Sequence, residues 1–289
     1  MNKIQNTKKA HARVARRYQI SRMKKYLLCF SIAGASSLAS AVDVDTELLL
    51  LVDVSGSVDS AEYSLMMDGY EAAFRNSSVV SAIQSGNTGS VAISLVFWSG
   101  ASQQSVGVDW MLVNDTASAN AFADAIALTS RPFSGSTAIG SGINYATPLF
   151  GTETGGADNG FTSAAQIIDV SGDGEDNNTP PAPDYDANVR AARDAAIAAG
   201  VDMINGLPIG NAGGDLEGYY QDNIIAGSAG GVAAFTQTAS TFSDIESSLT
   251  TKLVAETTAG ANLSLGVPEP SSVLLIALGA SVGVLRRKR

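Results

Sequence analysis

A single α/β domain, with a mostly parallel central sheet flanked by helices, is the fold that the sequence predicts. Three observations predict it. Short unbroken apolar runs such as "LLLLVDV" at 48–54 recur along the chain, as strands buried on both faces of a parallel sheet require. Longer stretches with apolar residues at three- and four-residue steps lie between those runs, as helices covering a sheet require. Glycine, proline and aspartate gather in the joints.

The chain opens with a basic segment up to Lys25 and the apolar stretch "YLLCFSIAGASSLASA", which closes on Ala39-Ser40-Ala41. A basic start, an apolar middle and a small-x-small end form a secretory signal peptide, so residues 1–41 are expected to direct export through the Sec pathway and to be removed. Translation from Met23 would give a compact signal by itself. His11 and Cys29, the only histidine and cysteine, both lie in this segment. The exported chain therefore has no disulfide, no thiol nucleophile, no His or Cys zinc site and no histidine-dependent triad.

From residue 42 to 258 the elements follow in order. Strands are expected at Glu47 to Asp53, Val91 to Trp98, Trp110 to Val113, Ala165 to Val170, Val201 to Leu207 and Val232 to Thr236, each a short apolar run. Helices are expected from Ser60, carrying Tyr63, Met66, Met67, Tyr70, Ala73 and Phe74 on one face, and over Ala117 to Leu128, Ala138 to Phe150, Asp186 to Ala199, Leu216 to Ile224 and Ser243 to Thr257. "GTETGGADNGFTS" and "SGDGEDNNTPPAPDYD" read as loops, and residues 259–266 as a linker.

The last segment, 267–289, joins Pro268-Glu269-Pro270, an apolar run and the cluster Arg286-Arg287-Lys288-Arg289. These three parts resemble the PEP-CTERM sorting signal of Gram-negative bacteria. That resemblance implies recognition by an exosortase-type membrane enzyme, transient membrane contact through the tail, and delivery to the cell surface, the outer membrane or an exopolysaccharide matrix. Between the two signals the body carries 27 acids against five bases, a net charge of −22. Such a body repels nucleic acid and anionic membrane.

In open α/β sheets ligands bind beyond the carboxyl ends of the strands. Asp53 ends the first strand, and Ser55 and Ser57 follow it at alternate positions, with Gly56 free to bend between them. Thr137 precedes a helix, and Asp173 follows a later strand. Carboxylate and hydroxyl oxygens suit a hard cation, Mg²⁺ or else Mn²⁺ or Ca²⁺. This set, D-x-S-x-S with a later Thr and an Asp-Gly pair, resembles the metal-ion-dependent adhesion site (MIDAS) of von Willebrand factor type A domains. "INGLPIG" at 204–210 and "YYQDNIIAG" at 219–227 further resemble a bacterial branch of these domains, the domain of unknown function 1194 type. The resemblance implies a Rossmann-like three-layer sandwich and metal ligation by Asp53, Ser55, Ser57, Thr137 and Asp173. It also implies a protein or polysaccharide ligand whose acidic group completes the coordination. "SGDGEDN" is longer and more acidic than the usual loop, so Asp173, Glu175 and Asp176 all remain candidates to face the ion.

Other polar residues have simpler readings. Asp59 borders the first helix and reads as an N-terminal helix residue rather than a ligand. Asp43 and Asp45 read as a solvated tail, and Trp98 and Trp110 as core. Arg131 fits either the binding face or a structural role. The expected function is adhesion or matrix binding at the cell surface or in a biofilm, without catalysis. The rival readings are a metal-assisted hydrolase of phosphate or ester groups, which without histidine would need a carboxylate, lysine or tyrosine base, and a matrix protein with a vestigial site.

Overall fold

A computed structural model describes residues 41–210 and 214–266. The expected signal peptide and the sorting tail lie outside the described residues. The central strand β1 (Val42–Asp53) pairs in parallel with β2 (Val91–Trp98) on one side and with β4 (Phe161–Gly172) on the other. The strand β4 pairs in parallel with β5 (Met203–Pro208). Antiparallel strands close both edges: β3 (Gln104–Val113) beside β2, and β6 (Ala226–Ala229) followed by β7 (Val232–Ala233) beside β5. The order is β3-β2-β1-β4-β5-β6-β7.

Alternation along "LLLLV" divides the core. Leu48, Leu50 and Val52 face one side, under α1 (Ser60–Arg75), α2 (Ser77–Ile83), α3 (Thr116–Ala127) and α7 (Ile245–Ser264). Leu49 and Leu51 face the other, under α4 (Ile139–Ala146), α5 (Tyr185–Ala199) and α6 (Leu216–Asn223). All five are fully buried. Burying each leucine contributes roughly 1.5–3 kcal/mol, so β1 is anchored from both faces before any loop is considered.

Three expectations change. Asp45 belongs to β1, not to a tail: it is 1% exposed and accepts backbone hydrogen bonds from Thr88, Gly89 and Ser90 at 2.8–3.2 Å. Burial pushes its carboxyl up, and hydrogen bonds from Thr88, Ser264 and Ser90 more than offset that, holding it below the usual carboxylate range. Residues 259–264 are not a linker but the last turns of α7, with Ala259, Gly260 and Ala261 buried. The expected strand from Val232 to Thr236 shortens to two residues plus an isolated bridge between Thr236 and Gly206.

Asp59, expected as N-terminal helix chemistry, stands just before α1 as its cap. Its carboxylate accepts from the backbone of Ala61 and Glu62, and Glu62 in turn accepts from the Asp59 backbone at 2.7 Å, a reciprocal cap for α1. Asp59→Ala is therefore expected to lower unfolding free energy by about 1 kcal/mol. A urea midpoint unchanged by this substitution would contradict the cap.

Candidate metal centre

Pairing of β1 with β4 brings the candidate residues to one end of the sheet. The register sets Val52 beside Ser171, so the strands end level, at Asp53 and Gly172. Beyond Asp53 the chain turns sharply. Val54 and Val58 are buried in the core, while Asp53 Oδ1 accepts from the Ser55 backbone at 2.7 Å. Arg131 donates to the carbonyls of Val54 and Ser55 and so pins the turn from outside.

The side chains then form a connected series. Ser55 Oγ lies 3.1 Å from Ser57 Oγ, and Ser57 Oγ donates to Asp173 Oδ1 at 2.7 Å. The Thr137 segment docks on both neighbours. Gly56 donates to the Gly135 carbonyl at 2.7 Å, and Asn177, in the Asp173 loop, donates its backbone N–H to the Thr137 carbonyl at 2.8 Å. Thus Asp53, Ser55, Ser57 and Asp173 are brought together, and Thr137 stands on the adjoining segment.

The acidic loop divides its carboxylates. Asp173 meets Ser57, as above. Asp176 turns away and is consumed in organising the loop: it accepts from the backbones of Gly140, Asn178 and Thr179 and from the Thr179 hydroxyl. Glu175 is exposed.

Burial raises both carboxyls. Asp53 is fully buried, and that burial, with the Asp173 charge added, pushes its carboxyl up to about 7. Asp173 is raised too, by burial first, against the lowering effect of the Ser57 hydrogen bond. No ion pair among the described residues reaches either group. Asp53 Oδ2 and the Tyr220 hydroxyl are both buried without a hydrogen-bond partner among the described residues. A Cβ on Gly172 would stand 2.9 Å from that oxygen and 2.8 Å from that hydroxyl, so only glycine leaves the space between them open. Nothing local in the sequence marks Tyr220 or Gly172 as neighbours of Asp53, because their nearness arises from how α6 and β4 pack. Among the described residues no three Asp, Glu, His or Cys side chains group to hold a metal, so the candidate rests on two carboxylates with hydroxyls. These hard oxygens and an unpartnered carboxylate oxygen fit a hard cation. A groove of about 400 Å³ opens beside Asp173, lined by Glu62, Leu65, Ile209 and Phe242.

Residues 43–261 match the family described as protein of unknown function (DUF1194). The chain belongs to this family. Residues 266–289 match the PEP-CTERM protein-sorting motif, which implies processing by an exosortase and export to the cell surface or extracellular space. No helix among the described residues is long and apolar enough to cross a membrane. A search of curated proteins returns no match. Among solved structures, this DUF1194 chain is similar to proximal thread matrix protein 1 from the mussel byssus, at 16% identity and a TM-score of 0.49, over 77% of this chain and 49% of that one. It is similar to a von Willebrand factor type A domain from Catenulispora acidiphila, at 16% identity and a TM-score of 0.48, over 75% and 43%. It is similar to the PilB minor pilin from Streptococcus sanguinis, at 11% identity and a TM-score of 0.50, over 77% and 63%. The chain thus spans about half the length of the first of these.

The open space at Gly172 gives a direct expectation. Gly172→Ala forces Tyr220 or Asp53 to move and is expected to cost about 1–3 kcal/mol of stability, read from chemical denaturation of the metal-free domain. A variant as stable as the parent would show that the two polar groups are not held as described.

Proposed function

We propose that the protein is an exported adhesion-type binding protein in which Asp53, Ser55, Ser57, Thr137 and Asp173 hold one divalent cation, Mg²⁺ or else Mn²⁺ or Ca²⁺. The acidic group of a protein or polysaccharide ligand completes the coordination from the groove beside Asp173. The observation that carries this reading is the hydrogen-bonded series from Asp53 through Ser55 and Ser57 to Asp173, closed on two buried carboxyls that no ion pair neutralises. A divalent ion would relieve their repulsion and give the unpartnered Asp53 oxygen a partner.

The route to the outside belongs to the same reading. Residues 1–41 are a Sec signal peptide, and the sorting tail delivers the domain to the surface, outer membrane or matrix of a Gram-negative bacterium. The role is binding rather than catalysis: with neither histidine nor cysteine after residue 41, the exported chain lacks the usual general base and thiol nucleophile.

Calorimetric titration of the exported domain with Mg²⁺, Mn²⁺, Ca²⁺ and Zn²⁺ tests the proposal. Binding is expected at pH 7, and Asp53→Ala should weaken it by more than the roughly 10- to 100-fold that follows loss of an outer partner of a metal ligand. Absence of binding at millimolar ion would sink the reading.

The pH dependence has a definite sign. The Asp53 carboxyl, raised to about 7, must lose its proton before it ligates, so ion binding releases a proton below that pH. Affinity should rise from pH 5 to about 7 and then level off, and an affinity flat across that range would contradict the role given to Asp53.

A further inference from the structure

The described body contains one lysine, Lys252, and the fold buries it completely. It projects from α7 toward the sheet, where its Nζ lies 2.7 Å from Asp169 Oδ1 of β4 and also contacts Glu256 Oε1 one turn further along α7. All three side chains have no solvent exposure. Neither Asp169 oxygen accepts a hydrogen bond among the described residues, although the amine stands in contact with one of them. Glu256 is held by the Asn205 amide at 2.9 Å, and the Phe235 ring lies 5.8 Å from Nζ. An amine, a carboxyl and a second carboxyl within reach of the amine, all shut away from water, are the components of amide formation rather than of a surface ion pair.

We propose that Lys252 and Asp169 condense to an intramolecular amide, with Glu256 carrying the proton between them. A proton passes from Nζ to the Asp169 carboxylate, leaving a neutral amine beside a carboxylic acid, which an apolar interior favours over separated charges. Nζ attacks Cγ, forming the C–N bond. Glu256 accepts a proton from Nζ and delivers it to the departing oxygen as the C–O bond breaks. One of the three Nζ hydrogens stays on the amide, and two leave with the oxygen as water. Glu256 ends as it began, and nothing is oxidised or reduced. Burial, with the Asp169 charge added, pushes the Glu256 carboxyl up to about 7, which suits a group that both takes and returns a proton.

The bond would tie β4 to α7. Asp169 lies four residues before Asp173, and α7 leads to the sorting tail, so the amide joins the strand that carries the candidate site to the helix nearest the anchor. Pulling force between ligand and tail would then run through a covalent link instead of through β5, β6 and β7.

Mass spectrometry of the full chain, digested under denaturing conditions, tests this without any variant. A branched peptide joining the segments that hold Asp169 and Lys252, lighter than their sum by one water, is the expected product. Two separate linear peptides of full mass would overturn the proposal. In Glu256→Gln the branched peptide should be lost or much reduced, and undiminished coupling in that variant would overturn the part given to Glu256. A mass deficit that persists in Asp169→Ala would overturn the assignment to Asp169.

Discussion

Parallel pairing of β1 with β4 is the interaction on which the rest of this structure depends. Parallel strands put their carboxyl ends at the same edge, and the register from Thr46 beside Ala165 to Val52 beside Ser171 makes them end level. Two acidic residues more than a hundred positions apart thereby become neighbours. Burial of Asp53, with the Asp173 charge added, is unfavourable to its ionised form in the bare protein and leaves its carboxyl raised to about 7. The apolar anchoring of β1 on both faces offsets that cost and holds the pair in place.

Around this edge the chain supplies supports of a different kind. Arg131 fixes two carbonyls of the turn, Asp176 holds the loop after β4, and Gly172 leaves space between Tyr220 and Asp53. None of these groups is needed as a ligand. They restrict the positions open to Ser55, Ser57 and Asp173, which is what separates a prepared site from a polar turn. The body's charge of −22 lies mostly on the surface, whereas three buried sheet carboxyls have partners of their own: Asp45 backbone amides, Glu47 the Asn159 and Ser163 side chains, Asp169 the Lys252 amine.

Much of this was legible in the sequence because it follows from local period and from order. The run "LLLLV" can only be buried on both faces, and the strand ends then place Asp53 and Asp173 at one edge. Asp59 reads as helix chemistry because it borders a helical pattern, and its exact role as the cap emerges from the backbone it meets. What escaped depends on distant partners. Asp45 reads as solvated until the amides of Thr88 to Ser90 meet it. Residues 259–264 read as a linker because Gly260 and small neighbours weaken a helical pattern, yet they pack as the end of α7. That Asp173 meets Ser57 while Asp176 is taken up by the Thr179 turn depends on how the loop folds, and no spacing rule expresses that.

A crystal of the exported domain soaked in Mn²⁺ tests the cation site most directly. Anomalous scattering is expected from a single ion in contact with the Ser55 and Ser57 hydroxyls and near the carboxyls of Asp53 and Asp173. A soaked crystal with no anomalous density at that turn, or with Mn²⁺ held elsewhere on the domain instead, would contradict it.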